Sequence, residues 1–129
     1  MPNVLIVDDS PTASYILKHM LDKMGYRTEI ANDGIEVEEI TLKFHPEVIL
    51  MDLVMPHMDG FQTTRLLKKN KELENIPIII CSSNSAKTDQ YWAKLQGAVG
   101  FIGKPVNKVD LKNVLDAVMT EGGGDEYLL

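Results

Sequence analysis

"VILMDLVMPHMDG", residues 48–60, holds the reading on which the fold turns. Four apolar residues run straight into Asp52, and a turn containing Pro56 and Gly60 follows. A short apolar run without alternation is expected of a strand covered on both faces, as in a parallel sheet between two helical layers. Four further runs share the chain with it. "NVLIV" (3–7) and "IPIIIC" (76–81) are nearly continuous Val, Ile and Leu, like "EVILM" (47–51) itself. "RTEIA" (27–31) alternates and reads as an edge strand, and the short "GFIG" (100–103) belongs at the opposite edge.

Longer amphipathic segments separate these runs, which is the pattern of repeated βα units and an α/β fold. Ser10-Pro11 opens the first, with Ile16, Leu17, Met20, Leu21 and Met24 at helical spacing and Gly25 closing it. Similar helices are predicted from about Gly34 to Phe44, Gly60 to Asn70, Lys87 to Leu95 and Lys108 to Thr120. Residues 1–120 therefore read as one domain. The glycines of "EGGGDEYLL" (121–129) break the last helix and predict a flexible tail, whose acidic, aromatic and leucine residues could alternatively serve as a docking peptide.

Composition narrows the function. A chain of 129 residues is long enough to bury a core without disulfides or a structural metal. The net charge of -6 argues against a nucleic-acid binder, which needs clustered Lys and Arg. Cys81 is the single cysteine, which excludes a disulfide framework or a zinc set and suits a reducing compartment; at the end of a core run it reads as an inert small hydrophobe. Neither a membrane span nor the basic start of a signal peptide is present in the sequence, so a cytoplasmic location is expected.

In an open parallel sheet, ligands bind beyond the carboxyl ends of the strands. Here the first run ends in Asp8-Asp9, the third in Asp52, the fourth in Ser82-Ser83 and the fifth in Lys104-Pro105. Carboxylates brought together repel by about 4 kcal/mol per pair at 4 Å and an effective dielectric near 20, so the cluster requires a cation. Hard oxygen ligands too few for a full cage suit Mg²⁺ with waters. Lys104 adds a compact positive charge, and the Ser82 hydroxyl is placed to donate to a phosphoryl oxygen. The set reads as a phosphoryl-handling site. Asp52 stands alone on the central strand and is the expected nucleophile, while the adjacent Asp8 and Asp9 are the expected metal pair.

The motifs "VDDS" (7–10), "LMDLVMPHMDG" (50–60), "ICSSNS" (80–85) and "GKPV" (103–106), in this order and spacing, make residues 3 to 120 resemble a response-regulator receiver domain of the CheY-like family. The resemblance implies a flavodoxin-like (βα)5 doubly wound parallel five-stranded sheet of order 2-1-3-4-5. It implies that Asp9, Asp52 and the backbone carbonyl of Val54 bind Mg²⁺ directly and that Asp8 acts mainly through water. A partner histidine kinase would phosphorylate Asp52, Ser82 and Lys104 would contact the phosphoryl group, and the Lys104-Pro105 bond would be cis. Phe101 falls at the rotameric switch position and would turn from exposed to buried as Ser82 moves inward. Val54 and Asn84 stand where the family tunes the lifetime of the phosphorylated state, and valine, unable to orient a hydrolytic water, implies slow loss.

With no output domain expected after Thr120, the switch would signal through a protein contact on the surface of the fourth helix, fifth strand and fifth helix. The segment "TDQYWAKLQGAVGFIGKPV" (88–106) is similar to single-domain regulators of twitching-motility and chemotaxis-like pathways. The unmodified chain is expected to be a monomer that is no enzyme beyond its own phosphorylation and slow dephosphorylation. A phosphate sink or relay receiver remains an alternative. A haloacid-dehalogenase-like phosphatase is disfavoured because "DDSPT" lacks a second aspartate at D-x-D spacing, and a flavodoxin because an acidic loop repels an FMN phosphate. Trp92 reads as a packing residue, and His19, His45 and His57 as surface or loop residues.

Overall fold

The computed structural model describes residues 1–83, 87–120 and 128–129. Each apolar run forms a strand and each amphipathic segment a helix, in the order β1 (Asn3–Val7), α1 (Pro11–Lys23), β2 (Arg27–Ala31), α2 (Val37–Phe44), β3 (Val48–Asp52), α3 (Gly60–Lys69), β4 (Ile78–Ser82), α4 (Lys87–Gln96), β5 (Gly100–Gly103) and α5 (Lys108–Thr120). The five strands pair in parallel in the order β2-β1-β3-β4-β5, as expected.

Strand burial follows this order. All five residues of central β3 and of β4 are buried, whereas the edge strand β2 alternates until Ala31. Side chains leave successive residues of a strand on opposite faces, so the sheet divides two apolar clusters. Leu5, Val7, Ile49, Met51, Ile78, Ile80 and Phe101 join Val37, Leu67 and Ala93 on the side of α2, α3 and α4. Val4, Ile6, Val48, Leu50, Ile79, Cys81 and Ile102 join Leu17, Leu21, Leu111 and Leu115 on the side of α1 and α5. Helix starts are fixed locally: Ser10 Oγ accepts the Ala13 N–H at 3.2 Å, and Asp59 and Gln62 form a reciprocal capping box before α3.

Several boundaries differ from the sequence expectation by one to three residues, and three of them have a clear physical setting. The helix placed at Gly34 begins at Val37, because Asp33 Oδ1 accepts the Ile35 N–H at 2.9 Å in a tight turn. Gly34 itself is pressed against α3, where a Cβ would stand 2.2 Å from Thr63 Oγ1. β4 begins at Ile78 rather than Ile76, since Pro77 has no N–H and contributes only its carbonyl, to Ile49 at 3.0 Å. β3 ends one residue later than expected and includes Asp52, paired in register with Cys81.

A further finding concerns the segment expected to be flexible. Leu128 forms an isolated antiparallel bridge to Gly100, and the Leu129 N–H donates to Val99 O at 3.0 Å. Leu129 is partly buried against the cluster that contains Phe101. Residues 121–127, and with them most of the expected tail, lie outside the described residues, as does Asn84.

Candidate functional site

Register sets the site. Val7 of β1 is level with Met51 of β3, and both face α2, α3 and α4. The next residues, Asp8 just past the end of β1 and Asp52 at the end of β3, therefore stand side by side, and by alternation turn toward the α1 and α5 side. Lys104, two residues beyond the inward Ile102, turns the same way, and its backbone N–H donates to Ser82 O at 2.8 Å, tying the ends of β4 and β5 together. The Lys104-Pro105 peptide is cis, as the resemblance implied.

These placements bring the side chains together. Carboxylate oxygens of Asp8, Asp9 and Asp52 lie within 4.8 Å of one another. Lys104 Nζ donates to Asp8 Oδ2 at 3.0 Å and to Asp52 Oδ1 at 2.9 Å. Asp8 and Asp52 are buried and Asp9 is exposed. The two buried acids differ in saturation: the other Asp8 oxygen, Oδ1, accepts the Ser10 N–H at 2.9 Å, so both of its oxygens are engaged. The Ser10 donor was not anticipated from sequence. Its signal was present, since a helix N-cap directly after an aspartate pair brings the first backbone N–H groups of the turn to the carboxylates.

Electrostatics at this cluster are unbalanced. Burial pushes the Asp52 carboxyl above the ordinary carboxylate range, and Asp8 and Asp9 add to this, while Lys104 opposes it through a hydrogen bond and its charge. Burial alone would lower the Lys104 ammonium, but hydrogen bonds to Asp52 and Asp8 outweigh it and hold the group above its usual value. One ammonium facing three carboxylates leaves the site short of positive charge, and the donors are hard oxygens. That donor set fits a divalent cation such as Mg²⁺.

Lys104→Met tests this balance. In metal-free buffer at pH 8 the variant is expected to lose about 2 kcal/mol, less than for a fully buried pair because Lys104 keeps 22% of its side chain exposed. Lys104, raised in the folded protein, stabilises fully below its ordinary value and loses that contribution as pH rises past the folded one. The Asp52 carboxyl that it neutralises, held above its ordinary value, protonates as pH falls, so the deficit should shrink toward pH 4. Urea midpoints at pH 4, 6 and 8 read this, and a deficit that does not change with pH rules out charge as the cause.

Of the remaining candidates, Ser82 ends β4 at the same carboxyl edge as Asp52, and Phe101 lies deeper, on the α3 and α4 face of the sheet. Ser82 follows Cys81 and so turns, like Phe101, toward α3 and α4. It is buried and hydrogen-bonded or otherwise engaged. Phe101 is already inward, 7% exposed, where the switch reading had it start exposed; it belongs to the same buried cluster as Ala93 and Ala98. Val54, two residues past Asp52, is 73% exposed. The Cys81 thiol, pushed up to about 12 by burial, has no thiolate character near neutral pH, in line with an inert role. His19, His45 and His57 are exposed. Trp92 departs from its expected packing role: it is half-exposed on α4, edge-on to the exposed Tyr91 at 6.1 Å.

Comparison with known proteins accords with this geometry. The response regulator receiver domain family matches residues 4–116. The protein PilH of Pseudomonas aeruginosa is 42% identical over 119 residues, covering 92% of this chain and 98% of the relative. The solved structure of the Vibrio cholerae chemotaxis protein CheY4 superposes with a TM-score of 0.88 at 31% identity, covering 92% of this chain and 99% of that one. The receiver domain of a P. aeruginosa sensor histidine kinase, solved with a magnesium ion coordinated in its active-site cleft, gives 0.85 at 26% identity over 92% and 98%. With its acidic cluster at the carboxyl ends of a 2-1-3-4-5 sheet and a match spanning nearly all of that sheet, the chain belongs to the response regulator receiver domain family.

Proposed function

We propose that Asp52 accepts a phosphoryl group from a phosphohistidine of a kinase, and that the modified chain signals through a protein contact. The observation behind this reading is the juxtaposition of Asp52 with Asp8, Asp9 and Lys104 at one strand edge. Asp52 ends a strand buried along its whole length, so its backbone is held while one carboxylate oxygen attacks phosphorus. An O–P bond forms as the P–N bond breaks, and the electron pair of that bond stays on the donor imidazole. Lys104 follows the growing negative charge as a point cation, and Ser82 supplies a hydroxyl to a phosphoryl oxygen. Asp9 and Asp52, with the Val54 carbonyl, would hold Mg²⁺, while Asp8, with both oxygens engaged, acts through water and Lys104. Mg²⁺ supplies charge neutralisation across the transferring oxygens when bound.

The phosphoryl group adds about -2 charge and three acceptors. Ser82 and Phe101 share one side of the sheet, so a pull on Ser82 bears on the space available to Phe101 and shifts a pre-existing equilibrium. The exposed Tyr91 and Trp92 on α4 favour a target protein over a bare phosphate sink, with the α4, β5 and α5 face as the contact. Residues 1–120 form the receiver and 121–129 an appendage. A monomeric cytoplasmic protein of a chemotaxis-like or twitching-motility pathway fits these features, with no enzyme activity beyond its own phosphorylation and slow dephosphorylation.

Intact-mass measurement tests the reading. With Mg²⁺ and a small acyl phosphate the protein should gain one phosphoryl group, and chelation should prevent the gain. After the donor is removed, the added mass should persist for minutes, because Val54 offers no group to orient water. No gain overturns the assignment, and decay within seconds overturns the role given to Val54.

A further inference from the structure

β5 is an edge strand, and an edge presents backbone groups able to take up a further strand. In this chain the position is filled from within. Leu128 bridges Gly100 in antiparallel fashion, the Leu129 N–H donates to Val99 O at 3.0 Å, and the Leu129 side chain is partly buried against the cluster that holds Phe101, Ala93 and Ala98. Val99 is thereby held from two sides, since its own N–H donates to Ile78 O at 2.9 Å. Gly100 has no side chain to obstruct a strand lying alongside it and is buried where it pairs. Both leucines lie outside residues 4–116, the region that matches the receiver family.

We propose that Leu128 and Leu129 form an intramolecular strap on the edge of β5 that holds Phe101 inward and so biases the switch. Phe101 directly follows the bridged Gly100, and its ring is a member of the cluster against which Leu129 packs. Turning the ring out takes a member away from that cluster, so the strap binds the inward state better. By linkage, the strap raises the population of that state as much as the inward ring tightens the strap. The strap stands on its own geometry; its bearing on signalling rests on the assignments of Asp52 and Phe101 above.

Two full-length variants separate backbone pairing from side-chain packing: Leu129→Pro deletes the donor N–H, and Leu129→Ser removes the packed side chain while keeping that N–H. Hydrogen exchange of residues 99–101 and NOEs from the Phe101 ring are measured without metal or phosphoryl donor, followed by affinity for Mg²⁺-fluoroberyllate. Exchange should quicken by about tenfold in both variants, the ring NOEs to its cluster should weaken, and fluoroberyllate affinity should fall by about threefold. Unchanged exchange overturns the strap. Faster exchange with Phe101 still inward overturns its coupling to the ring. Protection lost on dilution, alongside a dimer mass, assigns the strand to a second copy and overturns the intramolecular strap. Wild-type protein that takes up no fluoroberyllate, while the exchange and NOE changes occur, supports the strap and overturns the Asp52 reading.

Discussion

Asp52→Asn should reduce phosphoryl uptake at least a thousandfold, roughly the scale lost when a covalent nucleophile is removed, and at the same time make the metal-free protein more stable. The first effect follows because an amide oxygen is a poor nucleophile and the other acids are unsuited: Asp8 has both oxygens engaged, and Asp9 stands exposed at the rim. The second follows from the raised Asp52 carboxyl, which burial and two acidic neighbours disfavour as an anion. A carboxyl raised in the folded state takes up its proton more readily there than in the unfolded chain. Its charge therefore costs stability above the folded value, and the cost disappears as pH falls through that value toward the ordinary 3.8. The variant should exceed wild type by about 1 kcal/mol at pH 8 and lose that advantage near pH 4. Added Mg²⁺ should reverse the order, because binding to the folded state alone stabilises wild type by mass action while the variant lacks a ligand. Equal phosphoryl gain by both proteins, or a less stable variant at pH 8 without metal, would contradict this account.

Gly60→Ala should damage fold and site together. Gly60 opens α3 directly against the end of β3: a Cβ there would lie 2.4 Å from Asp52 O and 2.9 Å from Leu53 Cα, while the Gly60 N–H already donates to Leu53 O at 2.8 Å. These are backbone atoms that cannot swing aside, so α3 must retreat or the Asp52 peptide must shift. Overpacking of this kind costs about 3 kcal/mol, which outweighs the gain of about 1 kcal/mol from alanine's better helix propensity. Phosphoryl uptake should fall by about tenfold or more as Asp52 leaves its position. Gly25→Ala is the matched control, with open space around it but φ at +95°, and should lose only about 1 kcal/mol with uptake unchanged. Urea midpoints and initial rates of mass gain decide the matter, and equal losses for the two variants would remove the steric explanation.

Much of this arrangement was legible before any coordinates. The unbroken apolar runs at 48–51 and 78–81 marked strands covered on both sides, the alternation in 27–31 marked an edge, and the acids and lysine at the strand ends pointed to one shared site. Strand order follows from the resemblance rather than from periodicity, which carries no record of which strands are neighbours. Boundaries failed where a local hydrogen bond competes with the pattern, as at Asp33 before α2, or where a donor is missing, as at Pro77. The engagement of Asp8 by Ser10 was obscure because it depends on a backbone N–H, which every residue but proline carries. Leu128 and Leu129 were read with the glycines before them, yet two leucines that find an open strand edge need no support from their neighbours to pack there. Trp92 was assigned to packing by residue type, and only the position of the α4 axis shows that Ala93, not Trp92, faces inward.

The two apolar clusters on opposite faces of one sheet carry a consequence for how such a protein diversifies. Asp8, Asp52 and Lys104 open toward the layer built from α1 and α5, while Ser82 and Phe101 open toward the layer that includes α4 and its exposed aromatic pair. Under the proposed roles, the acidic site and the exposed aromatic pair of α4 thus stand on opposite faces of one sheet whose strands are at most five residues long. Changes in one layer need not be matched by changes in the other. A gene copy could then change the aromatic pair of α4, and with it the listener, without rebuilding the acidic site across the sheet.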